Sequence, residues 1–434
     1  MLKRIPLYAK IFLGMFLGII WGIIAINTGG IQITLDWIKP WGSIFINSLK
    51  LIAIPLILVS LIKGIGGISD VSKLSRMGLK TLGLYVLSTI IAVSLGLILV
   101  NTLQPGKAFP TEVRENLLSK YQSKTGEFLS KAELTKKSQE TEGPLYFIKE
   151  LVPENIVSAA SDNRNMLQVI FFALLFGIAM ISVKNKPGVN SVKDFFEGLN
   201  EIILKIVDFI MKAAPFGVFA LFAAIIVEIE KDNPGQVGSL FIALAGYCAT
   251  VILGLGIMVF IVYPGLLSIF TKHKFINFLR GIFKAQMLAF STSSSAATLP
   301  VTMDCAERNL GIKKEVSSFV LPIGATINMD GTSLYQGVAA VFIAQAFGME
   351  LTIIQQLTII LTATLASIGS AAVPSAGIIM LLIVLESIGV PAAGISLIFA
   401  VDRPLDMFRT TVNITGDSAV ACVIDYTERK HNNI

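Results

Sequence analysis

Long apolar runs recur along the whole chain, separated by short polar segments, and several reach the ~20 residues that a helix needs to cross a bilayer. In order they predict spans at about Ile11–Ile26, between Asp36 and Lys63, and at Leu82–Leu103, Leu167–Val183, Ile202–Val227 and Val237–Phe270. Basic residues between the runs give their direction. Lys3, Arg4 and Lys10 precede the first span, and Lys63, Lys73, Arg76 and Lys80 follow the second. Lys184, Lys186 and Lys193 follow the fourth, and Lys272, Lys274, Arg280 and Lys284 the sixth. Cytoplasmic loops carry the excess of Lys and Arg, so these segments and both termini are predicted inside. The segment Asn27–Asp36 has no Lys or Arg and is predicted outside. Residues 104–166 are polar, with acidic and basic side chains nearly balanced, and read as a long extracellular loop.

After Phe270 the simple alternation breaks. Ala285–Met303 is apolar but holds the hydroxyl-rich stretch Ser291–Thr298, and is followed by Asp304, Glu307, Arg308, Lys313 and Lys314, so that both of its flanks read as cytoplasmic. It is predicted to enter and leave by the same side, its polar tip covered by protein or a water-filled cavity. The next run, Val316–Phe347, is interrupted by Gly324–Thr332. Then Leu351–Leu385 is split by Ala366–Gly377, a second hairpin entering from outside, and a charged last helix ends at Glu428, Arg429 and Lys430. A hairpin and a helix, repeated with opposite entry sides, are what an inverted repeat gives. The pattern therefore predicts an all-α polytopic membrane protein with eight transmembrane helices plus two re-entrant helical hairpins.

Composition agrees. Hydrophobic residues make up 54% of the chain and charged ones 15%, against about a quarter charged in soluble domains. The first apolar run lacks a small-residue cleavage site and reads as a retained span. Cys248, Cys305 and Cys422 are far apart, and the two histidines, His273 and His431, sit beside basic residues. That supports neither a disulfide framework, a His/Cys metal site nor histidine-based catalysis. The net charge of +6 is accounted for by cytoplasmic loops, so no nucleic-acid partner is needed.

The candidate chemistry lies in the last third. Asp402, Asp406, Arg409, Asn413 and Asp417 follow one another at spacings of three or four, which places all five on one helix face. A charge at mid-bilayer costs ~2.5–3.5 kcal/mol even on lenient scales, so this face must meet protein or a polar cavity. Arg409 is the natural fork for a carboxylate, and Asp406, a turn away, suits an ammonium. Thr410 and Asn413 complete a polar shell. A ligand carrying both charge types and a second carboxylate is an acidic amino acid. The alternative is an internal Asp406–Arg409 pair with a purely structural role. Asp402 and Asp417 remain uncompensated in this reading, and bound cations would resolve them. In the interrupted run, Gly324, Asn328, Asp330, Gly331 and Thr332 gather oxygens and loosen the helix, as a sodium site requires. The alternative there is a kink with Asp330 paired elsewhere. The Ser291–Thr298 tip offers amides and hydroxyls to an anion, and the Gly369, Pro374 and Gly377 tip suits a lid. The alternative for both tips is small-residue helix packing.

At these residues the chain resembles the sodium-coupled dicarboxylate/amino acid symporters, the glutamate/aspartate transporter family. The matching motifs are Ser293-Ser-Ser-Ala-Ala-Thr-Leu-Pro300, Asn328-Met-Asp-Gly-Thr332, the Gly369–Gly377 tip, and Asp406-Met-Phe-Arg-Thr-Thr-Val-Asn413 with Asp417. The layout is similar over essentially the whole chain. The resemblance implies a homotrimer in which a transport domain moves like an elevator against a scaffold. Residues 1–76 and 149–236 would be mainly scaffold, 77–103 and 271–434 mainly transport core, and 104–148 an extracellular loop region. It implies that Asp406 binds the substrate amino group and Arg409 its side-chain carboxylate. Ser293, Ser294, Ser295, Thr332, Val373, Pro374, Gly377, Thr410 and Asn413 would surround the rest. Gly324, Asn328, Asn413 and Asp417 match one sodium site; Thr326, Ser367, Ile368 and Ser370 a second; Tyr85, Ser88, Thr89, Asn328 and Asp330 a third. Two departures stand out. Members usually carry an extra arginine near the substrate, at the places held here by Ser293 or Met407. Gln336 stands where proton- and potassium-coupled animal members have a glutamate, and glutamine cannot titrate.

The expectation is a secondary active symporter, not an enzyme, taking up L-aspartate and/or L-glutamate with no cofactor. The three sodium sites that the resemblance implies give about three sodium ions per substrate, consistent with their place near broken helices. It would be multi-pass in the plasma membrane, a prokaryotic inner membrane by its features. Rival readings are a sodium-coupled C4-dicarboxylate or neutral amino acid carrier of the same fold, or an ion channel.

Overall fold

Within a bilayer only helices and closed barrels satisfy every backbone group, and here each long apolar run is a helix. The computed structural model describes residues 7–66, 77–111, 152–161, 165–183, 186–232, 235–271, 273–368 and 376–432. Five helical stretches among them are long and apolar enough to cross a membrane: Ala9–Thr28, Ile31–Lys63, Leu79–Ala108, Gly188–Lys231 and Val237–Phe270. Shorter apolar helices cover Gln168–Ser182, Ile353–Ser367 and Gly377–Ser387. The chain is thus a multi-pass membrane protein, all-helical among the described residues. Large apolar side chains, Phe16, Ile98, Phe216 and Phe260 among them, are exposed on its surface, as lipid contact demands.

The first group of helices is α1 (Leu7–Thr28), α2 (Lys39–Gly66), α4 (Met166–Ser182) and α5 (Pro187–Asp232). α5 packs along both α1 and α2, and α4 along α2. Gly14, Gly18 and Gly22 form a stripe on α1 that lets its backbone touch α5. A Cβ built on Gly18 would lie 2.5 Å from the Phe219 carbonyl oxygen. Close backbone approach through small residues is how helices associate without a hydrophobic drive. Lys39 and Glu228 form an ion pair that ties the start of α2 to the end of α5. Gly18→Leu is expected to lower the stability of the purified protein by about 1–3 kcal/mol, seen as a fall in melting temperature in detergent. An unchanged melt would show that the stripe does not hold α1.

The second group surrounds α11 (Asp330–Ala346), whose residues are all buried. A helix hidden on every side needs no polar face. Around it lie α3 (Leu79–Leu103), α6 (Val237–Ile257), α12 (Ile353–Ile368), α13 (Ala376–Ser387) and α14 (Ile395–Asn432). α7 (Tyr263–Phe270) follows α6 through a π-type turn at Met258–Val262 and packs on α14. α6 packs on α3, α11 and α14, which places this helix, outside both ranges drawn from the sequence, with the second group. α8 (Phe275–Thr292) and α9 (Ser295–Arg308) form a hairpin, and α9 packs on α10 (Lys314–Ile327). At the far end of α14, Asp425 accepts the Lys313 amide at 3.0 Å and pairs with Arg429 at 2.6 Å, fastening the α9–α10 link.

Several boundaries differ from the sequence reading. The fifth run is one helix of 46 residues, Pro187–Asp232, rather than Ile202–Val227. Hydropathy is silent on its polar first turns, and neither Pro187 at the start nor Pro215 inside ends it. The loop predicted at Asn27–Asp36 shrinks to a turn at Gly29 (φ 74°) before helix resumes at Ile31. The first hairpin starts ten residues earlier than Ala285, because its first arm is already helical from Phe275. Its tip is only Ser293–Ser294 rather than the whole of Ser291–Thr298. The interruption in the later run is only Asn328–Met329, with Gly324 still helical. Most of the predicted extracellular loop, and residues 369–375 of the second tip, lie outside the described residues.

Candidate functional site

α14 carries the charged stripe through the middle of the second group. Asp402, Asp406, Arg409, Asn413 and Asp417 are all buried, Arg409 completely. Arg409 Nη2 lies 2.7 Å from Asp406 Oδ1 and 3.0 Å from Asp402 Oδ1. Asp402, expected to be uncompensated, is therefore paired: it sits seven residues before Arg409, and a long side chain spans those two turns. The guanidinium also lies flat over Tyr335, with Cζ 3.8 Å from the ring centroid. Arg409 Nε and Nη1 have no hydrogen-bond partner among the described residues. Gly377 closes one side: a Cβ there would stand 3.3 Å from Arg409 Nη1 and 2.9 Å from Thr332 Cγ2. So the fork has two open donors beside a residue that only glycine fits.

The break between α10 and α11 faces the next turns of α14. A helix end leaves amides and carbonyls without partners in the ladder, and α14 supplies some of them. Asn413 Oδ1 accepts the Gly331 amide at 2.8 Å, and its Nδ2 donates to Thr332 Oγ1 at 3.2 Å. Asn328 Nδ2 donates to Asp417 Oδ1 at 2.9 Å. Gly324 faces that carboxylate so closely that a Cβ would lie 2.6 Å from Asp417 Oδ1. Gly324, Asn328 and Asp417 are thus brought together, with Asn413 one turn away.

A second oxygen cluster centres on Asp330, which is fully buried at the first turn of α11. Its Oδ1 accepts from Ser88 at 3.1 Å and Thr89 at 2.9 Å, and its Oδ2 from Tyr263 at 2.9 Å. Ser88 also reaches Asn328 Oδ1 at 3.4 Å. Tyr85 lies alongside but donates to the Val320 carbonyl at 3.1 Å. No basic side chain pairs with Asp330 among the described residues, so the alternative of a structural kink fastened by an ion pair finds no support there.

The first hairpin tip is docked on α14 from the other side. Phe290 and Phe408 stack edge to face at 5.1 Å, and Gln286 donates to Thr415 at 3.0 Å. Ser293, Ser294 and Ser295 are buried at the turn. Ser293 takes a left-handed backbone (φ 52°), and its hydroxyl has no partner among the described residues. Ser294 caps α9 by accepting the Ala297 amide at 3.2 Å.

Other expected residues are less well gathered. Thr410 turns its hydroxyl back onto the Asp406 carbonyl at 2.9 Å. Thr326 is exposed and bonds to Ile323 O at 3.0 Å, while Ser367 is buried and bonds to Thr364 O at 2.7 Å, each along its own helix. Val373, Pro374, Ser370 and the side chain of Ile368 lie outside the described residues. Gln336 is buried and donates to the Gly377 carbonyl at 3.3 Å. Three residues were missed. Tyr263 lies in an apolar run with nothing local to mark it, and Tyr335 reads as core. Arg403, by contrast, was detectable: it stands three residues before Asp406 and reaches its Oδ2 at 3.3 Å.

Comparison with known proteins bears on this arrangement. The sequence model of the sodium:dicarboxylate symporter family matches residues 7–427. Excitatory amino acid transporter 3 of Oryctolagus cuniculus is 35% identical over 466 residues, covering 99% of this chain and 87% of its own length. Excitatory amino acid transporter 3 of Homo sapiens is 37% identical over 423 residues, with 90% and 79% covered. The proton/sodium-glutamate symport protein of Geobacillus stearothermophilus is 34% identical over 433 residues, with 99% and 96% covered. A match of this extent leaves one assignment: the chain belongs to the sodium:dicarboxylate symporter family.

Proposed function

We propose that the protein is a secondary active symporter that takes up L-aspartate and/or L-glutamate with about three sodium ions per substrate. The observation that carries this reading is the buried pair of opposite charges, Asp406 and Arg409, with two guanidinium donors still open. Asp406 takes the substrate ammonium, and the open edge of Arg409 takes its side-chain carboxylate as a fork. Thr332, Asn413, Gly377 and the Ser293–Ser295 tip line the remainder, and Thr410 holds the local turn of α14. A C4-dicarboxylate would leave Asp406 without an ammonium, and a neutral amino acid would leave Arg409 without its carboxylate. The names of the relatives, which include glutamate symport, point the same way.

Sodium is the coupling ion. The Gly324, Asn328, Asn413 and Asp417 group and the Tyr85, Ser88, Thr89, Asn328 and Asp330 group each hold an anionic oxygen among neutral ones, which suits a hard monovalent cation. Tyr263 belongs with the second group. A further site at Thr326, Ser367, Ile368 and Ser370 would form as substrate binds. Each positive charge carried inward gains ~2.3 kcal/mol per 100 mV of membrane potential.

The crossings are α1, α2, α3, α4, α5, α6 with α7, α10 with α11, and α14, with α8–α9 and α12–α13 as re-entrant hairpins. In this reading α1, α2, α4 and α5 form the scaffold of a homotrimer. The second group carries the site past it as an elevator, and both termini face the cytoplasm. The test is calorimetric titration of L-aspartate into the purified protein in sodium or potassium chloride. Saturable binding in sodium alone, tightening steeply as sodium rises, is expected. Binding indifferent to sodium, or binding of succinate or alanine in place of aspartate, would overturn the reading.

A further inference from the structure

Arg403 belongs to neither the substrate set nor the sodium groups, yet it shares Asp406 with Arg409. The two carboxylate oxygens are divided: Oδ1 to Arg409 Nη2 at 2.7 Å, Oδ2 to Arg403 Nη1 at 3.3 Å. The two guanidiniums differ in depth. The Arg409 side chain is 0% exposed, and that of Arg403 is 13% exposed. Arg409 is fully enclosed, whereas part of the Arg403 side chain stays accessible. With Asp402 and Asp406 opposite Arg403 and Arg409, the four charges cancel before any substrate arrives.

An ammonium that binds Asp406 draws on the same two oxygens that the guanidiniums already use. Arg409 cannot yield, since it is buried, held by a second carboxylate at 3.0 Å and stacked on Tyr335. Arg403 can, since its bond is the longer and its side chain already reaches the surface. Its Nε has no partner among the described residues. An ammonium and a guanidinium on one carboxylate also repel each other, and like charges this close resist sharing a site. Once displaced, Arg403 is a largely buried cation beside the substrate, and a carboxylate is the group that satisfies it. The side-chain carboxylate of an acidic amino acid, with two oxygens and about four acceptor positions, can take both guanidiniums, whereas the amide of a neutral analogue offers them no charge.

We propose that Arg403 is a specificity-determining residue: it neutralises Asp406 in the empty site, yields it to the substrate ammonium, and then joins Arg409 on the substrate's side-chain carboxylate. The inference rests on the acidic amino acid reading above. It is tested by measuring calorimetric affinities of the full chain for L-aspartate and L-asparagine in saturating sodium, with Arg403→Gln and Arg403→Met. Both variants should bind aspartate at least about tenfold more weakly, a difference of about 1.4 kcal/mol. Asparagine should bind as well as before or better, because its ammonium no longer competes with Arg403. The aspartate-over-asparagine preference therefore falls by at least about tenfold. A preference within twofold of the unaltered protein, with both affinities falling together, would overturn the proposal and mark Arg403 as merely structural. Arg403→Met keeps the length of the side-chain stem and supplies the same readout should the glutamine variant not fold. Absence of sodium-dependent aspartate binding in the unaltered protein would instead overturn the function itself, and it shows before any variant is compared.

Discussion

Arg409→Ala is expected to abolish binding of acidic amino acids and to lower the stability of the protein by about 3–5 kcal/mol. Both effects follow from what surrounds the guanidinium. Its removal takes away the fork that faces the substrate carboxylate, and it strands Asp402 and Asp406, which lie 3.0 and 2.7 Å from Nη2 in a buried site. A buried carboxylate deprived of its partner is far more costly than the pair was favourable. The cation-on-ring contact with Tyr335 is lost as well. Sodium binding at Asn328 and Asp417 should survive, because Asp417 sits two turns further along α14 and accepts from Asn328, at the α10–α11 break, at 2.9 Å. Calorimetry with aspartate and thermal melts in sodium separate the two consequences. Unchanged aspartate affinity would remove Arg409 from the substrate's partners, and an unchanged melt would remove it from those of Asp402 and Asp406.

Asp330→Asn is expected to act on stability in the opposite direction when sodium is absent. Asp330 is fully buried and accepts three hydroxyl donors, from Ser88, Thr89 and Tyr263, but pairs with no basic side chain among the described residues. Holding a carboxylate there without a counter-ion costs several kcal/mol, and a bound cation offsets that cost. An asparagine fits the same space, and the surrounding hydroxyls can turn to accept from its amide. The variant should therefore melt higher than the unaltered protein in potassium, and gain less when sodium is added. A ligand that binds the folded state stabilises in proportion to the logarithm of its concentration over its Kd, so the shrunken shift measures the lost affinity. A weakening of at least about tenfold is expected, about 1.4 kcal/mol. A full sodium-induced rise in the variant would show that the Asp330 group holds no sodium.

These two residues also show what could be read along the chain and what could not. The α14 stripe was legible because helical spacing turns a run of three- and four-residue steps into a face, and because charges in an apolar run admit few explanations. The break at Asn328–Met329 was legible from the Gly, Asn and Asp beside it, though the sequence spread it over Gly324–Thr332 by treating every helix-weakening residue as unwound. Asp402 was misjudged because its partner is seven residues on, beyond the three- and four-residue rule, yet within reach of an arginine. Tyr263 could not have been found, since it meets Asp330 only through the packing of α7 against α14. Arg403 was legible too, since it stands three residues before Asp406, the same spacing that joins Asp406 to Arg409. The length of α5 escaped for another reason: hydropathy reports where a helix is apolar, and says nothing of how far it continues once it leaves the apolar layer.

The central claim is that this buried face of α14 moves an acidic amino acid at the expense of a sodium gradient. Uptake of labelled L-aspartate into proteoliposomes, with an inward gradient of sodium or of potassium, tests it most directly. Accumulation above the outside concentration with sodium, none with potassium, and competition by L-glutamate are the predicted results. Folded protein that binds sodium yet accumulates no aspartate, while taking up a C4-dicarboxylate or a neutral amino acid under the same gradient, would contradict it.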